Sequence, residues 1–220
     1  MLDAFGAALP IAVGVAVSPF PIVAAVLVLL SPAGSASGLA FLAARVASVA
    51  FIAGLFAAIS DLIVRSDEVA PWVAVTRILV GIGLMVLAVG KWPRRQTEQA
   101  ADLPAWMRAI EDASPARAAR IAVILSVANP KELLLGVGAG ITIGSAGLPL
   151  GATLAVAAGY TALACATVAA PVIAFTAAPD RFRGRLEQLR ELLLRHNAAI
   201  MSVVLLVIGA VLIGGGLSDL

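Results

Sequence analysis

Long apolar runs separated by short polar segments dominate the chain. Six stretches, roughly 4–30, 37–63, 71–90, 119–143, 148–178 and 198–217, each supply the ~20 mostly apolar residues that a bilayer-crossing helix needs. The first and fifth exceed that length, so they are expected to be tilted or broken. Segments 31–36 and 144–147 consist mostly of small residues and read as tight turns. The other connections carry the charge. Continuous apolar runs exclude an outer-membrane barrel, whose strands alternate polar and apolar positions. The expected fold is all-α: a polytopic membrane protein with six transmembrane helices.

Composition sharpens this reading. Hydrophobic residues make up 61% of the 220 residues and charged residues only 13%. A soluble domain carries roughly a quarter charged residues, so a soluble enzyme, a disordered chain and a nucleic-acid module are all excluded. The net charge is only +2, and where the basic residues sit matters more than their sum. Lys91, Arg94, Arg95, Arg108, Arg117 and Arg120 follow the third span, and Arg181, Arg183, Arg185, Arg190 and Arg195 follow the fifth. Arg65 stands alone on the opposite side. Cytoplasmic loops concentrate Lys and Arg, so both termini are expected outside the cytoplasm. The N-terminus has no basic stretch before its apolar run, so a retained membrane helix is expected there and not a cleaved signal peptide.

Within the basic loops, Pro104 opens a short helical pattern. Arg185 to His196 is expected either as an amphipathic helix in the headgroup layer or as an extension of the sixth span. Cys165 has no second cysteine to pair with, and it and His196 make a thiolate or imidazole metal site untenable.

Two stretches half a chain apart resemble each other. One reads Ala16-Val17-Ser18-Pro19-Phe20-Pro21-Ile22 and the other Val127-Ala128-Asn129-Pro130-Lys131-Glu132-Leu133. Each leads through an apolar run to a small-residue turn, Gly34-Ser35-Ala36 or Gly144-Ser145-Ala146. Proline lacks a backbone donor and stops a helix just before it. A new helix then starts with Pro first and Ser or Asn as N-cap. Glu132, at the third helical position, is expected to complete a capping box with Asn129. Three helices per repeat (1–90 and 119–220, joined by the loop 91–118) form an odd number, so the second copy is expected inverted. Such 3+3 inverted repeats with broken helices 1 and 4 are found in many secondary transporters.

Lys131 lies eleven residues past Arg120, so about 16 Å into a hydrocarbon layer of roughly 30 Å. Half-helix N-termini carry partial positive charge, and with Lys131 they suit an anion. The bland alternative is a pair of ordinary kinks in which Lys131 and Glu132 neutralise each other. Arg45, two turns into the second span, is expensive unless paired or hydrated. It is expected to serve as a second anion ligand, to pair with Glu132, or to snorkel. Asp61 and Arg77 suggest a structural ion pair or an outer gate. Gly136, Gly140 and Gly144 form a GxxxG series suited to close helix packing.

The stretches Pro104-Ala-Trp-Met-Arg-Ala-Ile, Ser114-Pro115 and Ala128-Asn129-Pro130-Lys131-Glu132-Leu133-Leu134 resemble the GAP (glycopeptidolipid-addressing protein) family. That family belongs to the lysine exporter (LysE) superfamily of small six-helix transporters, whose first-helix motif resembles Ser18-Pro19-Phe20-Pro21-Ile22. The resemblance implies export at the inner (plasma) membrane, of cell-envelope glycolipids in this branch. It places the family motif on Asn129, Pro130, Lys131, Pro19 and Pro21. Glu132 stands where the family often has another polar residue.

The leading expectation is therefore a secondary exporter whose substrate site comprises Ser18, Pro19, Pro21, Arg45, Asn129, Pro130 and Lys131. Glu132, and secondarily Asp61, would couple transport to protons, since no nucleotide-binding loop is present. Expected partners are membrane lipids and an anionic or glycolipid substrate, with a homodimer left open and no nucleic acid. No cofactor, metal or catalytic residue is expected. The rivals are a small-solute exporter of the same fold and a non-transporting accessory subunit.

Overall fold

The computed structural model describes residues 1–64 and 113–189, with isolated positions within 78–89, at 110, at 191–192 and within 206–214. Regular structure among the described residues is entirely helical. Six helices are bounded: α1 (Leu2–Ala16), α2 (Pro19–Leu30), α3 (Gly34–Val64), α4 (Pro115–Val127), α5 (Pro130–Gly144) and α6 (Leu150–Ala177). Two of these, α3 over Gly34–Ser60 and α6, are long and apolar enough to cross a membrane. The total is four if each bent pair, α1 with α2 and α4 with α5, forms one span. The spans expected at 71–90 and 198–217 fall mostly outside the described residues, as does the short helix at Pro104.

Both expected interruptions are present. The axis turns by 52° between α1 and α2 and by 70° between α4 and α5. Ser18 and Asn129 adopt extended conformations, ψ 116° and 107°, immediately before a proline at the first helical position. Pro10 and Pro171, by contrast, lie inside α1 and α6 without ending them. A single proline removes one hydrogen bond; a break follows where a second feature joins it. At the first break that feature is Pro21, which deletes another donor. At the second it is the Asn129 side chain, which accepts from Lys131 N–H at 3.2 Å.

The helices pack around α3. Gly136, Gly140 and Gly144 let α5 approach it closely: a Cβ on Gly140 would lie 2.6 Å from the Ala53 carbonyl oxygen, and one on Gly136 would lie 2.8 Å from Ile52. Two apolar layers result. In one, Ala8, Ala12 and Val15 of α1 meet Ala53 and Ala57 of α3, Ala139 and Ile143 of α5, and Val156 of α6. In the other, Val23–Leu29 of α2 meet Phe41 of α3, Ala122 of α4, and Val172 and Phe175 of α6.

These layers fix the helix directions. The end of α2 shares its layer with the start of α4, where Ser37 Oγ donates to the Ala113 carbonyl at 2.7 Å. The start of α1 shares the other layer with the end of α5, where Ser60 Oγ donates to the Ile141 carbonyl at 3.3 Å. The two bent pairs therefore run in opposite directions.

The chain bends again at Ala178 and is helical over 179–189. This helix starts earlier than the expected Arg185. Leu186 is buried, and Phe182 and Leu189 pack against the α2 layer. Its described apolar side chains thus cover the bundle, with Arg185 stacked 5.6 Å over the Phe182 ring.

Candidate functional site

Between the two apolar layers lies a thin polar one. Its centre is Arg45, in the first half of α3 and 1% exposed. One guanidinium nitrogen, Nη1, donates to Glu132 Oε2 at 2.5 Å and to Ser126 Oγ at 3.1 Å. Ser126 in turn donates to the Ala122 carbonyl one turn earlier in α4. Three helices therefore meet on one guanidinium. Of the roles open to Arg45, pairing with Glu132 is the one present in this structure.

That pairing displaces the expected capping box. Glu132 Oε2 is committed to Arg45, and Oε1 has no hydrogen-bond partner. Asn129 still caps α5 through Lys131 N–H. The neutralising pair of Lys131 with Glu132 does not form either. Residues adjacent on a helix point about 100° apart and do not face each other. Lys131 is 6% exposed and its Nζ has no hydrogen-bond partner. Three ionisable side chains are thus buried together, two basic and one acidic. A buried charge without a partner is strongly unfavourable, so the cluster is balanced either by an anion or by a neutral Lys131 amine.

The first break is built differently. Ser18 is fully buried, makes no side-chain cap, and its Oγ has no partner. Its N–H is already bonded to the Val15 carbonyl at 3.1 Å. Pro19 and Pro21 offer no N–H at all, so this helix start presents fewer free donors than an ordinary one. Thr167 Oγ1 of α6 donates to the Ala16 carbonyl beside the break at 2.5 Å.

A small cavity of about 10 Å³ lies between the breaks, lined by Val15, Val49, Ile52, Ser126, Glu132, Gly136 and Tyr160. Of the expected site residues, only Glu132 lines it. Asp61 lies sixteen residues beyond Arg45 in α3, about 24 Å along the axis, so its backbone is far from the cluster. Its side chain and Arg77 lie outside the described residues. Ser126 and Tyr160 were not anticipated. Tyr160 is the chain's single tyrosine, set in an apolar span, and that isolation was the available signal. Its hydroxyl is buried without a partner.

The family model described as "Sap, sulfolipid-1-addressing protein" matches residues 8–218. The chain belongs to this family. The match covers nearly all of both bent pairs and the buried cluster, and it agrees with the resemblance of the Pro104, Ser114-Pro115 and Asn129 stretches to a GAP-like family. No curated protein and no solved structure matches this Sap-family chain.

Proposed function

We propose that this Sap-family protein is an inner-membrane secondary exporter of an anionic cell-envelope glycolipid, of the kind its family description names as a sulfolipid. The observation that carries the reading is the buried Arg45–Glu132 pair with the unpartnered Lys131 beside it, set where two helices restart. A sulfate or carboxylate head group would supply the missing negative charge. The cavity is far smaller than any lipid head group, so this is a closed form, and passage requires the bent pairs to part.

Opposed bent pairs support a 3+3 inverted repeat of the lysine exporter type, with six spans. Described Arg117, Arg120, Arg181, Arg183 and Arg185 all lie toward the end where α2 stops and α4 starts, which supports that end as cytoplasmic. Protonating Glu132 would release Arg45 for the substrate, and this is the reading's coupling step. Asp61 is a secondary candidate for proton coupling.

The test compares envelopes from cells with and without the protein. Loss of one anionic glycolipid from the outer surface, with its accumulation inside, is expected. An unchanged lipid distribution would overturn the reading.

A further inference from the structure

Two buried polar atoms in the central layer lack partners although they belong to residues lining the same cavity: Glu132 Oε1 and Tyr160 Oη. Leaving either unsatisfied in an apolar bundle is costly. The cavity's volume of about 10 Å³ is near the minimum that admits one water, and such a water needs two to four polar partners. We propose that this cavity is a single-water site and that the water links Tyr160 to Glu132.

One water can meet the polar groups that line the cavity. Tyr160 Oη–H donates to the water oxygen. The water donates one hydrogen to Glu132 Oε1 and the other to Ser126 Oγ. Ser126 Oγ gives its hydrogen to the Ala122 carbonyl and accepts from Arg45 Nη1, which leaves one lone pair for the water. Val15, Val49, Ile52 and Gly136 complete the walls with apolar groups, and the unpartnered Arg45 Nε and Lys131 Nζ belong to residues outside the lining.

A metal cation is disfavoured, because Arg45 already holds the Glu132 carboxylate and the preceding residue in the chain, Lys131, is a second buried basic group. Tyr160 is then a positioning residue: through the water it keeps Oε1 turned toward α6 while Oε2 faces Arg45. The site does not depend on what the protein transports.

The single tyrosine makes the test selective. Protein labelled with ¹³Cζ-tyrosine, reconstituted in lipid nanodiscs, gives one tyrosine resonance by solid-state NMR. Polarisation transfer from water should reach this signal, and Glu132→Gln should shift it. Val49→Leu, which fills the cavity, should abolish the water transfer. Absence of water transfer in the unmodified protein would overturn the site. A shift in Glu132→Gln without water transfer would mean a direct Tyr160–Glu132 contact, which also overturns it. The unmodified protein alone decides the main point, so a variant that fails to fold does not block the test. A positive result beside an unchanged envelope would sink the export reading and leave this site standing.

Discussion

The sequence leaves three roles open to Arg45, and in the structure it pairs with Glu132. Breaking a buried ion pair by deleting one partner costs about 3–5 kcal/mol, whereas replacing both with apolar groups is often nearly neutral. Arg45→Met should therefore lower the unfolding temperature in detergent sharply, and Arg45→Met with Glu132→Met should recover most of the loss. Equal destabilisation by the single and double variants would mean that the pair does not hold the layer together. The charged residues of this layer were legible because charge is rare in apolar runs. Their pairing was not, because Glu132 could have turned to Lys131, to the Asn129 N–H or to Arg45. Which it reaches depends on how closely α5 approaches α3. Tyr160 and Ser126 were missed for a related reason: hydroxyls are common in membrane helices, and only the packed layer shows which ones share a cavity.

At the scale of helices, the glycine seam sets that approach. A side chain at Gly140 would meet the Ala53 carbonyl oxygen and Phe56 Cβ, while Gly138 has nothing within 4 Å. Gly140→Val should destabilise by roughly 1–3 kcal/mol through overpacking. Gly138→Ala should stay within about 0.5 kcal/mol. Denaturant unfolding in mixed micelles distinguishes the two, and equal effects would contradict the seam. The seam was readable from Gly136, Gly140 and Gly144 alone, because small residues at every fourth position share a face. The breaks were readable too, but the proline rule behind them is incomplete. It would also have marked Pro10 and Pro171, which stay inside helices. A second proline or an Asn cap separates a break from a tolerated proline, and Ser18 shows that the cap residue need not itself bond.

For the whole molecule, the opposed bent pairs place the N-terminus and the 179–189 helix at opposite ends. Asp3→Cys and Arg183→Cys, each in a Cys165→Ala background, should label from opposite sides of the membrane with an impermeant thiol reagent. Labelling of both from one side would contradict the arrangement. Both native residues are exposed, so failure to label would not arise from burial.

The most direct measurement of the export reading is lipid movement in a purified system. Protein reconstituted in liposomes with a short-chain fluorescent anionic sulfoglycolipid should move that probe between leaflets under an imposed proton gradient. Lys131→Met should abolish the movement while the protein still inserts and folds, because the surplus positive charge is gone. A neutral glycolipid of the same chain length should not move. Undiminished movement of the anionic probe by Lys131→Met, or no movement by the unmodified protein, would contradict an anion site built on this buried cluster.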